Sequence, residues 1–163
     1  MANRPSQTQG IKIRMSATNS QAQMVGRRAE LMAELFFQSL DAAYVARFDH
    51  ELAFDLLVGL PNPQGGIDNF AVEVKATEQP VRSGFRVRRQ IHERLSRSNT
   101  PAMLLVADVK QDRLYYAWLR PEQAAAARAD RDTIIVPLTE IDDGAKARLR
   151  EELAAQRSDA IAA

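Results

Sequence analysis

Asn69-Phe70-Ala71-Val72-Glu73-Val74-Lys75-Ala76-Thr77 changes side-chain character at every step, and that alternation sets the reading of the whole chain. Side chains on a β-strand point to opposite faces in turn. Phe70, Val72, Val74 and Ala76 therefore share one face, and Ala71, Glu73, Lys75 and Thr77 share the other. Upstream, Leu52–Val58 reads alike. Leu52, Phe54, Leu56 and Val58 lie on one side, with Ala53, Asp55 and Leu57 opposite. Between the two runs stands Gly59-Leu60-Pro61-Asn62-Pro63-Gln64-Gly65-Gly66, a cluster of turn formers, so the pair predicts a long-looped antiparallel hairpin. Placing Asp55 opposite Glu73 centres the pairing on Gln64, inside the loop. In that register both carboxylates and Lys75 converge on one face.

Before the hairpin, Val25, Ala29, Met32, Phe36 and Leu40 recur at helical spacing, which predicts a helix from Ser20 or Gln21 to Leu40. Tyr44–Phe48 is a short strand-forming run. After the hairpin, Phe85–Val87 predicts a strand leading into a basic helix that ends near Ser98. Ala102–Asp108 has the unbroken apolar character of a central strand. Leu114–Leu119 should pair with it across Lys110-Gln111-Asp112. Pro121 opens an alanine-rich helix. Thr133–Leu138 reads as a last strand, and Ile141–Gln156 as a closing helix. Residues 1–19 read as a flexible arm, 20–157 as a single α/β domain, and 158–163 as a frayed end. The expected fold is a mixed central sheet flanked by helices.

Composition narrows the function. The chain has 163 residues with 45% apolar and 26% charged side chains, the balance of a globular protein able to build its own core. It has no cysteine, which excludes thiol nucleophiles and cysteine-ligated metals. The only histidines are His50 and His92, too few for a histidine-rich metal site. The N-terminal segment lacks a signal peptide's apolar stretch, and no run suits a bilayer span, so a cytoplasmic location is expected. Net charge is only +1, but Arg82, Arg86, Arg88, Arg89, Arg94 and Arg97 crowd one segment against the single acid Glu93. Such a cluster suits a phosphate backbone.

The chemistry centres on Asp55, alone in the apolar run Leu52-Ala53-Phe54-Asp55-Leu56-Leu57-Val58. An ionised carboxylate there is costly without a compensating charge. Two such carboxylates repel each other and call for a cation. An oxygen-rich pair suits Mg²⁺ or Mn²⁺. Bound near a phosphodiester, such an ion would stabilise transition-state charge and acidify an attacking water. Lys75, on the same face, would orient that water, help deprotonate it, or neutralise phosphate charge. Gly26 and Glu30 share a face of the first helix. Gly26 would let that face approach the sheet, and Glu30 would extend over its edge, with Glu34 a rival one turn later.

With Glu30 on the first helix, Asp55 on the following strand and Glu73-Val74-Lys75 on the next, the chain resembles the PD-(D/E)XK nuclease superfamily. Gly26-Arg27-Arg28-Ala29-Glu30, Phe70–Thr77 and Pro101–Asp108 are similar to a bacterial domain-of-unknown-function branch linked to defence against foreign DNA. The resemblance covers roughly residues 22–120. It implies a restriction-endonuclease-like fold and Mg²⁺-dependent (or Mn²⁺-dependent) cleavage of phosphodiester bonds, with DNA the expected substrate. It also implies that Asp55 and Glu73 bind the metal, that Lys75 assists the water and that Glu30 completes the metal shell. Phe54 stands where proline often precedes the aspartate, and related members carry glutamine at the position of Glu73. The alternative is therefore a catalytically inactive nuclease-fold subunit that binds nucleic acid or a protein partner. A homodimer, or a partner subunit supplying specificity, is the expected assembly.

Among the remaining candidates, Arg82, Arg86, Arg88 and Arg89 are expected to contact the nucleic-acid backbone, and Gln90 to act as an accessory residue. Asp49 and Asp68 are alternatives to Asp55 should the register differ. His92 reads as a surface helix residue, and Tyr115, Tyr116 and Trp118 as strand packing. Gly65-Gly66 lacks the neighbouring lysine and hydroxyl of a phosphate loop.

Overall fold

Ala29, Ala33, Phe37 and Leu40 form the buried stripe of the first helix, α1 (Ala17–Gln38) and its exit. Val25, Met32 and Phe36 pack only partly against that core. The stripe is turned by one position from the expected Met32 and Phe36, because Phe37 seats its ring edge-on against Phe70, 5.6 Å between centroids. The computed structural model describes residues 17–48, 54–128 and 130–162. Asp41 adopts a left-handed conformation (φ 54°), which aspartate tolerates, and turns the chain from α1 into the sheet.

The main sheet has six strands in the order β1 (Tyr44–Arg47), β2 (Leu56–Pro61), β3 (Ile67–Thr77), β5 (Ala102–Asp108), β6 (Arg113–Trp118) and β8 (Thr139–Glu140). Only β3 and β5 run parallel, and every other pairing is antiparallel. Every residue of β5 is buried, as its apolar run requires at the centre of a two-faced sheet. A separate two-stranded sheet joins β4 (Gly84–Arg88) to β7 (Thr133–Pro137). Helices α2 (Arg89–Ser96), α3 (Pro121–Ala126) and α4 (Ala145–Ala162) complete the chain.

The sheet separates two apolar cores. One joins Phe70, Val72, Leu56 and Val58 to α1 and to Leu149 and Leu153 of α4. The other joins Ala71, Leu104 and Val106 to Val87, Leu95, Ala124, Ile134 and Val136, and so holds α2, α3 and the β4–β7 ribbon. This is the expected mixed α/β sheet flanked by helices.

The hairpin register agrees with the sequence reading. Leu56 pairs with Val72, Val58 with Phe70 and Leu60 with Asp68, a ladder centred on Gln64. The strand bounds differ. β2 is expected over Leu52–Val58 but spans Leu56–Pro61, so Gly59, Leu60 and Pro61 belong to the ladder rather than to the loop. Leu52 and Ala53, with Asp49 and His50, lie outside the described residues. Gly59 leaves room for the Tyr44 ring that lies over it, since an added Cβ would stand 2.6 Å from that ring and the ring would have to shift. The turn itself is tied by Asn62, whose Oδ1 accepts from the N–H groups of Gln64 and Gly66, while Gly65 supplies a positive φ of 81°.

Other boundaries also moved. Thr133–Pro137 leaves the main sheet to pair with β4, placing Phe85 opposite Val136 and Val87 opposite Ile134. Helix α4 begins at Ala145 rather than Ile141, and its bounds run past Gln156 to Ala162. Helix α1 begins at Ala17, inside the expected arm, whose residues 1–16 lie outside the described residues. No helix among the described residues is long and apolar enough to cross a membrane.

Candidate active site

The β2–β3 ladder ends at Leu56 and Val72, yet β3 runs on beside β5 as far as Thr77. Asp55 stands at that end. Its N–H bonds to the Val72 carbonyl at 3.0 Å, one residue short of the pairing with Glu73 that the ladder would continue into. Its carboxylate Oδ2 accepts the Val74 N–H at 2.7 Å. A side-chain oxygen thus satisfies a main-chain donor and holds the aspartate against β3 where the strands part. Burial of Asp55 is intermediate, so its second oxygen is not enclosed by core.

Glu73 projects from β3 toward the α2 side of the sheet, since its neighbours Val72 and Val74 enter the α1 core. Its side chain is only 9% exposed, and Lys75 Nζ donates to Oε1 at 2.5 Å. Burial pushes the Glu73 carboxyl above the ordinary range. The Lys75 bond and charge oppose the shift, the Asp55 charge adds to it, and Arg94 opposes it. The net direction is upward, as expected when desolvation exceeds the help of one half-exposed amine. Lys75 thus pairs with Glu73, while Asp55 is tied to the next residue of the same strand through the Val74 N–H.

Arg94 comes from α2. It and Gln90 are four residues apart and both exposed, so they share a helical face, while His92 and Leu95 point inward. The Arg94 charge is near enough to lower the Glu73 carboxyl slightly against the upward effect of burial. Its signal was present in the sequence as the spacing of Gln90 and Arg94, hidden among the other arginines.

Glu30 is not brought to this group. Its Oε2 accepts from Arg47 at 2.7 Å and from Arg27 at 3.1 Å, and Glu34 shares the same two arginines. Arg47 stands opposite Leu56, a residue of the α1 core, so this ion-pair cluster belongs to the face of the sheet away from Glu73. Gly26 corrects similarly. An added Cβ would meet nothing within 4 Å, so no close approach to the sheet depends on it. Asp68 is held by Arg157 at 3.0 Å and by Asn62 at 3.0 Å, and serves to tie the hairpin end to α4.

Neither a family model nor a curated protein matches the chain. Among solved structures it is similar to a bacterial homing endonuclease, I-Ssp6803I, with a TM-score of 0.51 and 14% identity, over 84% of this chain and 96% of that one. The fold is nuclease-like. At that identity the likeness speaks for the fold alone.

The arginine-rich segment divides by role in the structure. Arg82, Arg86 and Arg88 are exposed. Arg86 and Arg88 lie on the outer face of β4, because Val87 between them is buried. Arg89, expected to reach a phosphate backbone, instead donates to the carbonyls of Arg131 at 2.9 Å, Ala124 at 3.2 Å and Arg128 at 2.6 Å. It also pairs with Glu93 at 3.5 Å. Its donors organise the segment between α3 and β7. His92 is fully buried rather than exposed, with Nε2 2.8 Å from Gln123 Oε1 and Nδ1 unpartnered among the described residues. The helix turns His92 inward because α3 covers α2, a contact that helical periodicity alone does not predict. Tyr116 and Trp118 pack in the α1 core and both donate to Glu152 of α4.

Asp55 and Glu73 offer an all-oxygen donor set, one member buried with its carboxyl held upward in pKa, which a divalent cation would relieve. No group of three or more acidic or histidine side chains among the described residues is arranged to hold an ion. The residues present fit Mg²⁺ or Mn²⁺, which bind through one or two carboxylates and complete their shell with water and phosphate oxygens.

Proposed function

We propose that the chain is a divalent-metal-dependent nuclease of the PD-(D/E)XK type that hydrolyses phosphodiester bonds in DNA. The observation that carries this reading is that Asp55 bonds to Val74, between the paired Glu73 and Lys75, where the β2–β3 ladder ends, within a nuclease-like fold. Asp55 and Glu73 would hold Mg²⁺ or Mn²⁺, which when bound supplies positive charge at the phosphate and acidifies water. Asp55 is fixed for this by the Val74 N–H, which leaves its second oxygen available. Lys75 Nζ, more exposed than the Glu73 it bonds, would orient the attacking water and offset charge on the phosphate. Gln90 and Arg94 would flank the carboxylates from α2, and Arg82, Arg86 and Arg88 would supply affinity for the backbone. Glu30 has no part in this reading.

The test is cleavage of supercoiled plasmid by the purified chain with Mg²⁺ or Mn²⁺, abolished by EDTA. Lys75→Ala should lower the rate by roughly 10²–10⁴-fold, the usual contribution of a positioned acid–base group, with the melting temperature retained. Undiminished cleavage by the folded variant would remove the mechanism.

A second reading, a nuclease-fold subunit that binds nucleic acid without cutting it, is favoured by Glu30 standing apart from Asp55 and Glu73. It predicts DNA binding that survives Asp55→Ala and no cleavage with any divalent metal. A role in defence against foreign DNA, with a second copy or a partner subunit providing specificity, completes the proposal on the strength of the sequence resemblance.

A further inference from the structure

The arginine that left the expected backbone-binding set points to a different site. Arg89 directs its guanidinium to the carbonyls of Ala124, Arg128 and Arg131, and its own N–H donates to the Asp132 carbonyl at 2.7 Å. These bonds fix the segment between α3 and β7 against the start of α2. The segment in turn carries Arg128 and Arg131 to the outer face of the β4–β7 ribbon, where Arg86 stands opposite Ile135. The result is a cleft of about 370 Å³ lined by Arg86, Arg128 and Arg131 with Gln123, Thr133 and Ile135.

Three arginines line one cleft, and like charges that close together repel unless an anion lies between them. No acidic side chain among the described residues lines the cleft. None of the three arginines is ion-paired with a described residue. Asp130 and Asp132 are exposed in the same segment but do not line it. Planar forks of N–H donors match phosphate oxygens, and Thr133 and Gln123 add neutral hydrogen-bonding groups. Ile135, 60% exposed, offers an apolar patch of the kind a sugar or base covers. The volume lies near the low end of the ~300–1,000 Å³ typical of small-molecule pockets.

We propose that this cleft binds the phosphate ester of a nucleotide, as a site separate from the Asp55–Glu73–Lys75 group. The phosphate can come from a nucleic-acid strand or from a free nucleotide. In the first case the inference rests on the proposed nuclease reading and adds an anchor for the strand away from the carboxylates. In the second it stands alone.

The experiment compares the full chain with an Arg86→Ala/Arg131→Ala double variant. An Arg28→Ala/Arg113→Ala variant serves as a charge-matched control, since those arginines are engaged in exposed ion pairs elsewhere. Unchanged melting temperatures establish that all are folded, and Arg86→Gln/Arg131→Gln repeats the test with longer side chains. The probes are a short fluorescein-labelled DNA duplex, measured in EDTA so that binding is read without cleavage, and AMP and inorganic phosphate by calorimetry. A strand anchor predicts about tenfold weaker duplex binding in the double variant alone, with a salt slope shallower by about two. A free-nucleotide site predicts AMP binding that the double variant loses, with duplex binding unchanged. Equal losses in the control, or equal binding of every probe by parent and double variant, overturns the site, as does the absence of binding to all probes. Plasmid cleavage separates this from the nuclease reading: metal-dependent cutting without arginine-dependent binding leaves the nuclease and removes the cleft, and the converse leaves the cleft alone.

Discussion

Replacing Arg89 by alanine distinguishes a phosphate ligand from an organiser of the fold. The structure gives Arg89 bonds to three carbonyls, at 2.6, 2.9 and 3.2 Å. A hydrogen bond to a charged donor contributes about 1.5–3 kcal/mol net. The contributions do not sum, because Arg128 and Arg131 are exposed residues whose carbonyls water can solvate once the guanidinium is gone, whereas Ala124 is buried. Loss of the buried bond in full and of the other two in part gives about 3 kcal/mol. For a domain of this size that lowers the melting temperature by roughly 6–12 °C. Thermal unfolding followed by circular dichroism measures it. Hydrogen exchange should show amides at 130–133 losing protection first, because those residues depend on Arg89 for their placement. Arg89→Lys should recover little, since one ammonium cannot reach the separated carbonyls as a planar fork does. A melting temperature within about 2 °C of the parent, combined with a large loss of DNA affinity, would refute the organising role and return Arg89 to the backbone-contacting set.

Glu73→Gln tests the buried carboxyl through pH. Its folded-state pKa is raised, so the stability it contributes is present below 4.5 and is lost as pH climbs through the raised value. The variant should therefore gain stability relative to the parent between acid and neutral pH, in urea unfolding with EDTA present; parallel pH profiles would contradict the assignment. Glu152→Ala strips the shared acceptor from Tyr116 and Trp118 and should cost about 2–4 kcal/mol, with a red-shifted tryptophan emission as water reaches the indole. Gly59→Ala forces a methyl to within 2.6 Å of the Tyr44 ring and should cost about 1–3 kcal/mol by chemical denaturation. Adding Tyr44→Ala should relieve only part of that loss, because Ile67 also stands at 2.8 Å.

Much of the candidate site was legible because a strand has period two. Alternation from Phe70 to Ala76 assigned Glu73 and Lys75 to one face, and the turn formers around Gln64 set the register that the ladder obeys. Glu30 was misplaced because helical periodicity says which side of a helix is apolar but not which side of the sheet the helix covers. Residues at the edge of that stripe can reach either way, and Arg47 and Arg27 decide the matter for Glu30. His92 was misread for a related reason: its burial depends on α3, brought over α2 by packing rather than by any nearby residue.

Local chemistry in the chain itself thus determined the strands, the hairpin register and the pairing of Glu73 with Lys75 on one face, since each depends on neighbours a few residues apart or on one turn. Tertiary structure alone decided what Arg89 bonds, where Glu30 lies, and that Arg86 shares a cleft with Arg128 and Arg131. The arginine contacts join residues some forty positions apart, and Glu30 is held by Arg47, 17 positions away on another element. They arise from how two helices and a ribbon bury their apolar faces against the sheet, a global compromise that no short pattern records.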